Sequence, residues 1–137
     1  MSIDIRWGVE NHLIQTTLHG SMTLEELIQL TDRMLQLVDS SSHPIVHFMV
    51  DVRQIQTYLP LQEVIKLRPH LATHPGSGWL ILISNNKTLT FISTLVNGTK
   101  SRMRAFQTIE EALAFLRERD DTAAYPESLP VPELDQA

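Results

Sequence analysis

The chain has 137 residues, 42% hydrophobic and 20% charged, which suits one globular domain with a sizeable core. There is no cysteine, so disulfides, thiolate nucleophiles, iron–sulfur clusters and cysteine-based zinc sites are excluded. Eleven Lys and Arg against sixteen Asp and Glu leave a net charge of −5, the wrong sign for general nucleic-acid binding.

The first residues, Met1-Ser2-Ile3-Asp4, lack the pattern of a secretory signal. The longest apolar run, Trp79 to Ile83, falls far short of the ~20 residues of a membrane helix. A soluble, cytoplasmic protein with no integral membrane segment is the expectation. Ile3 to Trp7 alternates apolar and polar residues, and Leu13 to His19 resumes extended character before Gly20. Together they predict a hairpin with one wet face, towards a sheet edge. Thr23-Leu24-Glu25-Glu26 is a capping box, and Leu24, Leu27, Ile28, Met34, Leu35 and Val38 follow it at helical spacing. The run from Asp39 to Pro44 ends that helix.

Ile45 to Val52 predicts the third strand and Trp79 to Ile83 the fourth, the latter apolar on both faces as in a sheet covered on two sides. Between them Leu61, Val64, Ile65 and Leu67 give a shorter helix with Pro60 in its first turn, and residues 75–78 read as a loop. Asn86 can cap a third helix bearing Leu89, Ile92, Leu95 and Val96, ended by Gly98. Arg102 to Phe106 forms the last strand, and Thr108-Ile109-Glu110-Glu111 starts a helix with Ala112, Leu113 and Leu116 on its apolar stripe. The order ββαβαβαβα predicts an α/β domain with a mixed, mostly parallel five-stranded sheet covered by about four helices. That domain spans residues 1–120. Residues 121–137 hold acids and prolines but no Lys or Arg, which predicts an extended, mobile tail.

Several of these patterns together resemble the SpoIIAA-like family, which shares the STAS-type fold of anti-sigma-factor antagonists. They are Leu18-His19-Gly20 before Met22-Thr23-Leu24-Glu25-Glu26, the strand ending in Asp51-Val52, the Trp79-to-Ser84 strand, and Met103-Arg104-Ala105-Phe106 leading into Glu110-Glu111-Ala112-Leu113-Ala114-Phe115-Leu116. The resemblance covers residues 3 to 119 and implies a bacterial domain that works through protein contacts or a small ligand, without chemistry of its own. Phospho-switched members carry an Asp-Ser-Ser-Gly-like loop after the third strand. Here Asp51 to Pro60 contains no such loop, and Thr57 is the hydroxyl left as a phosphorylation candidate.

Ligands of open α/β sheets bind outside the carboxyl ends of the parallel strands. That edge should receive Asp51, Arg53, Ser84, Asn85, Asn86 and Lys87. Asn85 and Asn86 can donate and accept, while Arg53 or Lys87 can neutralise an anion near a helix N-terminus. The same residue types also suit plain turn and cap positions, so both readings stand. His47 suits a hydrogen-bonded core position. The pair His70 and His74 is bracketed by prolines without a third ligand, so surface histidines are expected there in place of a metal site. Gly76-Ser77-Gly78 lacks the Lys-Ser/Thr of a phosphate loop, and Lys100, Arg102 and Arg104 read as a solvated edge. No cofactor and no catalytic constellation is expected. Two functions fit: a non-enzymatic regulatory or protein-interaction module with a protein partner or as a homodimer, or a domain binding a small apolar ligand or lipid. The second needs an apolar cavity beneath the third helix and a polar mouth at the strand ends.

Overall fold

Side chains that alternate along the strands give one five-stranded sheet two apolar faces, each closed by a different part of the chain. The computed structural model describes residues 2–57, 74–85 and 102–132. Its elements are β1 (Ser2–Val9), β2 (Leu13–Ser21), α1 (Leu24–Ser40), β3 (Val46–Thr57), β4 (Ser77–Ile83), β5 (Met103–Phe106) and α2 (Ile109–Arg119). The sheet order is β1-β2-β3-β4-β5; β1 runs antiparallel to β2 and the later pairs are parallel. The mixed α/β sheet is therefore as expected. Two helices, not about four, lie within the described residues. The helices expected after Pro60 and from Asn86 fall outside them.

On the first face Ile14 and Leu18 of β2 join Val46, Phe48, Val50 and Val52 of β3 against Leu30, Met34 and Val38 of α1. Leu13, Met49, Ile81 and Ile83 lie on the opposite face, packed with Ile109, Ala112, Leu113 and Leu116 of α2. The capping box at the start of α1 is formed in both directions: Thr23 Oγ1 accepts from Glu26 N at 3.1 Å, and Thr23 N donates to Glu26 Oε1 at 3.0 Å. Two of the four orphan amides at that helix end are thereby satisfied.

The hairpin differs from expectation in one respect. β1 takes the sheet edge, so β2 is covered on both sides, and Leu13 to Leu18 are all buried. Two of its polar residues bond internally, and Thr16 Oγ1 meets the Met34 sulfur at 3.8 Å. β3 also outruns its expected end at Val52, because Gln54, Ile55 and Thr57 keep pairing with β2. β4 starts at Ser77, taking in half of the expected 75–78 loop.

The segment after α2 holds a second difference. Its prolines keep residues 121–132 free of helix and strand, yet these residues lie on the α2 face. Tyr125 is buried in the core there and Leu129 packs against it. Gln15 Nε2 donates to Pro130 O at 3.0 Å, and Arg117 donates to Pro126 O at 2.8 Å. Leu129 lies over Gly8, where a β-carbon would come within 3.0 Å of its methyl group. The described part of the expected tail is thus packed, because an amphipathic aromatic and two backbone carbonyls found partners on the body.

Candidate functional site

Period-two alternation puts His47, Met49 and Asp51 of β3 on the α2 face, so that face carries polar groups at both ends of its central strand. At the carboxyl end the register slips: Thr17 pairs with Asp51, but His19 pairs with Gln54. The extra β3 residue is a bulge, a device that re-aims side chains near a strand end. It folds Arg53 back onto Asp51. Oδ1 of Asp51 accepts from Arg53 N and Nε, each at 3.0 Å, while Oδ2 accepts from the terminal guanidinium nitrogen at 2.7 Å. The Asp51 side chain is 2% exposed and that of Arg53 26%. Hydrogen bonding to Asp51 raises the Arg53 pKa further, with a smaller contribution from Glu110 at the start of α2.

The expected polar mouth is therefore only partly assembled from free groups. Asp51 and Arg53 do meet at the strand end, but each is engaged by the other. Asn85 is exposed just beyond β4, one residue past Ser84, whose amide donates to Phe106 O at 2.9 Å. Asn86 and Lys87 lie outside the described residues. Thr57 ends β3, and its side chain also lies outside them. Beside Asp51, the buried hydroxyl of Thr17 has no hydrogen-bond partner among the described residues.

A second cluster occupies the other end of β3. Trp79 N donates to His47 Nδ1 at 2.9 Å, which leaves that nitrogen bare and places the ring proton on Nε2. Nε2 then donates to Asp120 Oδ2 at 3.0 Å, and Tyr125 OH donates to the same oxygen at 2.6 Å. Thr122 supplies both its amide and its hydroxyl to Asp120 Oδ1. Burial works against the Asp120 carboxylate, but the bonds from Thr122, Tyr125 and His47 outweigh it and hold the group well below the usual carboxylate range. Burial and the same carboxylate push the Tyr125 hydroxyl far up. Gly78 makes room for the ring, since a β-carbon there would come within 2.3 Å of His47 Nδ1.

His47 is a hydrogen-bonded core histidine, as its strand position implied. Its partners Asp120, Thr122 and Tyr125 were missed. An Asp-x-Thr after a helix is an Asx-turn signal, and Tyr125 stands alone as an aromatic in a polar stretch. Both could have been noticed. His74 Nε2 meets Asp39 Oδ1 at 2.7 Å, while His70 lies outside the described residues. Among the described residues no group of three or more His, Asp or Glu side chains is placed to hold a metal. Arg104 lies 5.6 Å from the Phe115 ring centre, so one member of the expected basic edge is stacked on an aromatic. On α1, Leu24 and Ile28 remain exposed.

No family model matches the chain, and no curated protein matches it. Among solved structures it is similar to an uncharacterized protein of the DUF3478 family with a SpoIIAA-like fold, from Shewanella loihica PV-4. The similarity has a TM-score of 0.60 at 14% identity and covers 84% of this chain and 92% of the other. Among the described residues no helix is long and apolar enough to cross a membrane. With its mixed sheet and the helices that cover it, the chain has a SpoIIAA-like α/β fold.

Proposed function

We propose that this chain is a non-enzymatic regulatory domain of the STAS-like type, acting in the cytoplasm by binding a protein partner through the first turns of α1. The observation that carries this reading is the pair Leu24 and Ile28, 37% and 41% exposed. They stand one helical turn apart, beside Glu25, Glu26 and Asp32. An apolar ridge edged by acids suits a partner whose contact surface is apolar and basic. The state of the polar clusters supports the same reading. Asp51 is engaged by Arg53, and Asp120 accepts from four donors, so neither is held ready to move a proton.

The test is capture of partners from native lysate with the full chain and with a Leu24→Glu/Ile28→Glu double variant. Covering the rest of these two side chains is worth about 1 kcal/mol each, so the variant should bind its partner about thirtyfold more weakly with an unchanged circular dichroism spectrum. Equal retention by both proteins, or no partner above background, would overturn the proposal. Recovery of the chain's own second copy would identify the partner as a homodimer.

A further inference from the structure

We infer that residues 121–132 form a strap over the β1–β2 part of the α2 face, latched by the His47–Asp120–Tyr125 cluster and released when His47 gains a proton. The strap has no strand ladder to hold it. It is fastened near its root by Tyr125 on Asp120 and by Arg117 on Pro126, and at its far end by Leu129 over Gly8 and Gln15 on Pro130. Segments held by few bonds open locally at a small fraction of the cost of global unfolding. On opening, the proline carbonyls and the Tyr125 hydroxyl exchange their partners for water, while Asp120 keeps its bonds from Thr122.

The latch is sensitive to protons because of where the second one must go. Nε2 already carries a proton, so a further proton can enter only at Nδ1, at which the Trp79 amide is aimed from 2.9 Å. That amide bond cannot survive protonation, and the absence of a side chain at Gly78 lets the ring sit so close to backbone that it has to swing away. The charged ring keeps its pair with Asp120 as it moves, so it drags the carboxylate that also holds the Tyr125 hydroxyl, at the residue from which the strap departs. The groups facing His47 are Asp120 at the end of α2, which favours the charged ring, and Arg102 before β5 and His43 before β3, which oppose it. The neutral Tyr125 ring of the strap lies 6.5 Å from it, centre to centre. Burial is the largest influence and also opposes charge.

Hydroxyl-radical footprinting of the full chain, read at Tyr125 and Leu129 with the core residue Phe48 as reference, tests the latch. Between about pH 7.5 and a pH below the midpoint of the His47 ring titration, labelling of both strap residues should rise about tenfold while Phe48 stays closed. In His47→Gln, which cannot titrate, labelling should not change with pH. In Tyr125→Phe, labelling of Leu129 should be raised at both pH values. Strap labelling that ignores pH in the parent chain, or an acid response that survives in His47→Gln, would overturn the inference. Should His47→Gln fail to fold, the His47 ring titration followed by NMR must share its midpoint with strap labelling, and separate midpoints would overturn it equally.

Discussion

His47 is 5% exposed, and burial lowers its pKa from the ordinary 6.5 more than its bond to Asp120 raises it. The unfolded chain therefore binds a proton at this ring before the folded chain does. Stability from the neutral ring is complete above about pH 6.5 and is lost as pH falls from there through the folded value. Asp120 acts in a lower window with the same sign. Its folded pKa lies below the ordinary 3.8, so its contribution is lost only as pH falls beneath that value. Urea unfolding across the acid range should show two declines in stability, one setting in below about pH 6.5 and one below about pH 4. His47→Gln should erase the upper decline and leave the lower. A single decline in both proteins would show that the ring does not change its proton affinity on folding. Gly78 belongs to the same account, because its missing side chain lets the Trp79 amide reach the ring.

Among the elements, α1 owes the most to local chemistry. Its cap is made by Thr23 and Glu26, so Thr23→Ala should cost about 1 kcal/mol in urea unfolding with no change in the sheet. A loss under a few tenths would mean that packing of Met34 and Val38 alone holds the helix. This start was legible in the sequence because a capping box acts over four consecutive residues. The two capped helices, the central strands and the mixed sheet were legible for similar local reasons. The strand β2 was legible too, but its burial on both sides was not, because Gln15, Thr16 and Thr17 look solvent-facing until the segment at Pro130 is seen bonding Gln15 and Met34 meeting Thr16. The candidate site divides in the same way. That Asp51 and Arg53 reach the strand end follows from alternation, but their pairing depends on a bulge set by the register with β2. Burial of Tyr125 and its bond to Asp120 depend on a body surface that composition alone does not reveal.

At the scale of the molecule, sheet order and chain order coincide among the described strands, so each of their pairs joins neighbours in sequence. Each new strand can dock on one already placed, and no early strand waits for a distant partner. The bond from Gln15 to Pro130 is of another kind, spanning 115 positions. Bringing such distant positions together carries a loop-closure cost, which the preassembled body reduces by fixing where Gln15 lies. The strap should therefore be the last part of the described structure to form. In a refolding time course with pulsed radical labelling, Phe48 should become protected first and Tyr125 later. Simultaneous protection would make the closing segment part of the folding nucleus. Growth of the chain and assembly of the body then proceed in one direction, and the strap closes the structure only after β5 and α2 have been made.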